Sequence, residues 1–89
     1  MKERYKMPFP LTVSKEWKEY KDLTTFEVKK ITQKAAYIEI SDRGYLNSLV
    51  LDIIDDNGCT INVQRMGIQK VYLKCWDMWR DGKLTKING

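Results

Sequence analysis

The residues able to do chemistry are few and poorly spaced for it. Histidine, the commonest general base and transition-metal ligand, is absent from all 89 residues. Two carboxylate pairs, Glu39 with Asp42 and Asp77 with Asp81, have the types needed to divide acid and base roles, but the sequence around them marks neither a raised pKa nor a nearby nucleophile. The run Asp52, Asp55, Asp56, Asn57, Gly58 has the composition of a calcium loop. It lacks the alternating Asp spacing and the distal bidentate Glu that seven- or eight-oxygen coordination needs, so it reads as a hairpin turn. Cys59 and Cys75 stand far apart without a CxxC pair, which fails every zinc pattern; both sit in apolar alternation and read as reduced, buried thiols, with a disulfide possible only if their strands adjoin. No catalytic, metal or cofactor site is therefore expected, and the chain reads as non-enzymatic.

What remains is binding. The stretch VYLKCWDMWRDGK, residues 71–83, places aromatic, sulfur and basic side chains together, and Met78, Trp79 and Arg80 are types enriched at the centres of protein interfaces. Tyr72, Met78, Trp79, Arg80 and Lys83 are the expected contacts to a partner protein, with Trp76 assigned to the core. The alternative is a small β-barrel binding nucleic acid, in which cations track phosphates and rings stack on bases; its expected contacts are Arg43, Tyr45, Lys70 and Lys74. Charge distribution bears on the choice. The net charge is +4, but residues 1–30 carry eight Lys or Arg against five acids, residues 31–60 two against five, and residues 61–89 six against two. Basic ends with an acidic middle suit a charged protein partner as readily as nucleic acid, and twelve of the sixteen cations are lysine, which lacks the fork that reads bases bidentately. A protein partner is the leading expectation, nucleic acid the second.

Elements must position these side chains, and the length allows one domain with one core over residues 1–89. Residues 1–13, marked by Pro8 and Pro10, read as an extended arm. Ser14 reads as the cap of a short helix over 15–23, with Val13, Trp17, Tyr20 and Thr24 on one face. From Thr25 the period changes to two: Phe26 and Val28, then Ala36, Ile38 and Ile40, form the apolar faces of a hairpin turning at Thr32, Gln33 and Lys34. In LVLDIIDDNGCTINVQR, a three-residue loop Asp56-Asn57-Gly58 with Gly58 left-handed pairs Ile53 with Ile61 and Leu51 with Val63, whereas a two-residue turn would bury Asp52. Residues 69–75 alternate as a strand. They fit a helix as well, with Lys70, Lys74, Asp77 and Asp81 as its polar stripe and Gly82 as its stop; the strand is the preferred reading. The expected fold is α+β, mainly β: a compact antiparallel sheet or half-open small barrel, SH3-like or OB-like, of about five short strands with one N-terminal helix.

The start MKERYKMPFPLTV holds no apolar run of signal-peptide or membrane length, so a cytoplasmic protein without a membrane role is expected, its oligomeric state open. In size, lysine and isoleucine content and lack of histidine the chain resembles the accessory proteins of phages infecting low-GC bacteria. Many of these bind and disable a host machine, CRISPR nucleases included. That resemblance implies a small anti-defence inhibitor acting on a macromolecular partner, and it assigns no residue.

Overall fold

The computed structural model describes residues 1–87. The chain is α+β and mainly β: an open antiparallel sheet of four strands, β1 (Lys2–Lys6), β2 (Thr12–Tyr20), β3 (Phe26–Ser41) and β4 (Val50–Asp55), followed by helices α1 (Val63–Met66) and α2 (Gln69–Arg80). The expected N-terminal helix and fifth strand are absent among the described residues, and both helices follow the sheet. The N-terminal arm is itself β1, hydrogen-bonded to β3.

Strand β3 organises everything. Its first half pairs with β2 from Tyr20↔Phe26 to Thr12↔Lys34. Its second half pairs with β1 and with β4, placing Tyr5 beside Ile38 and Ile38 beside Ile53. No turn occurs at 32–34, because Ile31 and Thr32 favour extended backbone and the stretch has no Gly, Pro, Asn or Asp to reverse it. The reversal comes at 21–25 instead, where the Asp22 side chain accepts from the N–H groups of Thr24 (2.8 Å) and Thr25 (2.9 Å). Residues 15–20 are strand rather than helix for the same reason: β3 offers them a continuous ladder, whereas a lone two-turn helix is marginal in water.

A β-bulge between Ala35 and Tyr37 changes which residues face the core. Before it the odd positions Ala35 and Gln33 are buried with Val13; after it the even positions Ile38 and Ile40 are, alongside Leu51 and Ile53. Ala36, expected to share the face of Ile38, is exposed in consequence. The helices close this face with Ile68 and Cys75, joined by half-buried Trp76, Trp79 and Tyr72.

The turn after β4 follows the expected three-residue loop. Asp55 and Cys59 flank it, Gly58 holds φ +82°, and the Ile61 N–H donates to Ile53 at 2.8 Å. The pairing stops there: Asn62 caps α1 by accepting from the Arg65 N–H at 2.8 Å, so Val63 opens a helix instead of lying opposite Leu51. Residues 69–80 are helix, the second of the two readings, and Gly82 at φ +68° ends it by donating to the Trp79 carbonyl. Cys75 is buried, and burial pushes its thiol up; Cys59 is exposed in the turn, not buried as expected, and both are free. No helix among the described residues is long and apolar enough to cross a membrane.

Candidate functional site

Val13 and Gln33 are the last buried pair on the ribbon formed by β2 and the first half of β3. Beyond them the ribbon continues for seven residue pairs, roughly 23 Å, as a two-stranded finger. Its base is tied to α1: the Lys15 Nζ donates to the Arg65 carbonyl at 3.2 Å, and the Arg65 guanidinium lies 5.0 Å from the centre of the Trp17 ring. Its outer part carries Tyr20 and Phe26 paired directly across the strands with ring centres 5.6 Å apart, and Val28 on the same face, all exposed.

At the tip stands Leu23, 99% exposed. The turn displaying it is ordered. Besides its two backbone bonds, Asp22 accepts from the Thr24 hydroxyl at 3.1 Å, and the Lys21 N–H donates to the Thr25 carbonyl at 2.9 Å. These donors hold the Asp22 carboxyl below the usual carboxylate range, the Thr24 N–H first among them. Single exposed leucines are ordinary on a protein surface; four apolar side chains gathered on one projection are not. Polar residues interleave with them, Lys15, Lys18, Lys21, Lys29 and Lys30 against Glu16, Glu19, Asp22 and Glu27, so the finger is close to neutral.

The face of the sheet opposite the helices has a different character. Glu39 lies there with its side chain only 7% exposed, ion-paired to Arg4 (3.2 Å), Lys2 (3.6 Å) and Arg43 (3.7 Å). Asp52 is its cross-strand neighbour, and burial, reinforced by the charge of Glu39, raises the Asp52 carboxyl above its ordinary range. Two carboxylates side by side have the types for acid and base work, but Glu39 is ion-paired to three cations, and among the described residues no Ser, Thr or Cys side chain hydrogen-bonds to either. Among the described residues no three His, Cys, Asp or Glu gather to hold a metal ion.

The expected partner contacts lie along α2 and just past it, some packed and some exposed. Tyr72, Trp76 and Trp79 stack edge-on along α2 with centres 6.4 and 5.7 Å apart, half-buried against the core. The Trp79 indole N–H donates to the Tyr5 hydroxyl at 3.3 Å, so Trp79 belongs to the packing between α2 and β1, alongside Trp76. Tyr72 also lines an open groove along β4 with Val50, Asp52, Thr60 and Val63. Met78 is half-buried, while Arg80, over the Trp76 ring at 5.6 Å, and Lys83 are exposed. The alternative set is split too. Arg43 and exposed Tyr45 lie in the β3–β4 connection, whereas Lys70 and Lys74 lie on the outer face of α2, with Lys74 over the Phe9 ring at 5.1 Å. In sequence Tyr20, Phe26 and Val28 read as packing faces and Leu23 stands unmarked, though Asp22 followed by Thr24 and Thr25 is a turn signature that places the reversal here.

No protein-family model, curated protein or solved structure matches this chain.

Proposed function

We propose that this is a non-enzymatic protein-binding module that modulates or blocks a partner by inserting the tip of the β2–β3 finger into an apolar pocket on it. The observation that carries the reading is Leu23, fully exposed on a turn that Asp22 fixes with three hydrogen bonds. Burying a leucine side chain contributes roughly 1.5–3 kcal/mol, and a turn already in its bound conformation loses little entropy on docking. Tyr20 and Phe26, of the types enriched at interface centres, flank the tip. Charge separates this from insertion into a nucleic-acid groove: a finger with five cations against four acids gains little by releasing counterions. The likeness in composition to phage accessory proteins makes inhibition of a host machine the form such binding would take.

A photo-crosslinking residue at position 23 tests this in extract of the source cells, with the same residue at Leu73, exposed on α2, as the control. A discrete adduct from position 23 that disappears in the Asp22→Ala background is expected. Identical adducts from both positions, or none from position 23, would overturn the finger as the binding element.

A further inference from the structure

We infer that the open face of the sheet, at the body end away from the finger tip, is a second binding site whose ligand is a single strand of nucleic acid. The alternate β1 residues Lys2, Arg4 and Lys6 all point to this face, opposite Ser41, Glu39 and Tyr37. They stand about 6.6–6.8 Å apart, a spacing close to that between successive phosphates of an extended strand. Arg43 joins Lys2 and Arg4 over Glu39, and Lys34 continues the row beyond the bulge, paired across to Thr12.

Five cations here face two acids, of which Glu39 lies beneath its partners and Asp52 is half-buried. Glu39 sets the positions of three cations without cancelling them all. Lys6 and Lys34 make no ion pair among the described residues. The Arg4 guanidinium lies 5.1 Å from the centre of the Tyr37 ring, which places a half-buried aromatic among the phosphate-binding charges. A ring set among cations on an open sheet face suits single strands, whose unpaired bases offer faces for stacking, better than duplexes, whose bases are enclosed. The observations differ from those that carry the finger, so either site can fail alone.

The experiment is fluorescence anisotropy of a labelled oligothymidine of about 16 nucleotides, the upper end of single-strand site sizes, against the full chain at two salt concentrations. Binding at low salt is expected, with log Kd rising by roughly 0.7 per phosphate contact for each tenfold increase in salt. Lys6→Glu with Lys34→Glu should weaken it by about tenfold or more, and Tyr37→Leu, which keeps an apolar side chain but removes the ring, by about fivefold or more. Lys70→Glu with Lys74→Glu on α2, and Leu23→Asp on the finger, should leave it within about twofold. Far-ultraviolet circular dichroism of each variant shows that the fold is retained. No binding at low salt, an equal loss from the α2 reversals, tighter binding of the matching duplex, or displacement by polyglutamate as effective as by unlabelled oligonucleotide would each overturn the inference.

Discussion

A single carboxylate governs the most exposed part of this protein. Asp22 stabilises its turn most strongly while ionised, because one charged oxygen accepts all three of its bonds and a neutral carboxyl accepts them less well. Its folded pKa lies below its unfolded one, so this contribution is present above the ordinary carboxylate range and is lost as pH falls through the depressed value. The protection of the Thr24 and Thr25 amides, their exchange measured relative to the intrinsic rate at each pH, should therefore be highest near neutrality and fall in acid; Asp22→Asn, which retains an acceptor oxygen without the charge, should flatten that response. Gly58 is the comparable position in the other turn. Its φ of +82° penalises a side chain although the space around it is open, so Gly58→Ala should cost about 1 kcal/mol and Asn57→Ala less, measured by thermal unfolding. The Gly58 conformation was legible in Asp56-Asn57-Gly58, where three turn-forming types follow one another. The role of Asp55 was not: buried, it accepts from the Asn57 and Cys59 N–H groups and from the Gln33 side chain, which holds its carboxyl low, and nothing in the sequence distinguishes it from its exposed neighbour Asp56.

At the scale of elements, this chain holds short segments whose apolar residues satisfy two periods at once. Val71, Leu73 and Cys75 alternate like a strand, yet Leu73 is exposed and the residues that pack are Val71, Tyr72, Cys75, Trp76 and Trp79, a helical spacing. Val13 and Trp17 likewise fit one helix face and, at an even separation, one strand face. Local sequence does not choose between such readings; the availability of a pairing partner does, and β3 supplies it for β2 but not for α2. The helical stacking of α2 makes Trp76 and Trp79 comparable. Trp76→Ala and Trp79→Ala should each destabilise by about 2–4 kcal/mol, less than a fully buried ring, and the remaining indole should be similarly shielded from acrylamide in the two variants. An unchanged midpoint for Trp79→Ala would show that its bond to Tyr5 and its contact with Trp76 contribute nothing.

The whole molecule measures 52 × 31 × 25 Å, and its length follows the sixteen residues of β3. Fold class was legible because period-two alternation dominates residues 26–55; the architecture was not, because one long strand looks in sequence like two short ones. A body holding Ile38, Ile40, Leu51 and Ile53, continued into a finger with no buried residue beyond Val13 and Gln33, should not open as one unit. Hydrogen exchange should show protection falling steadily along β3 from Ile40 towards Phe26, and uniform protection would mean that the finger is held by contacts other than its own ladder. The bulge at Ala36 gives this asymmetric shape its handedness of function. A strand is an alternating sequence of two directions, and one inserted residue reverses its phase. Because of that reversal, Phe26 and Val28 share a side with Tyr37 and Glu39, and not with the helices, though all four residues belong to one continuous strand. Deleting Ala36 would remove the bulge and leave Ile31, Gln33 and Ala35 on the side of the helices, because Ala35 would then alternate directly with Tyr37 and Ile38. Straightening the strand with Ala36 retained would do the opposite: Lys30, Thr32 and Lys34 would meet the helices, and the finger would carry its aromatic pair to the other side of the molecule.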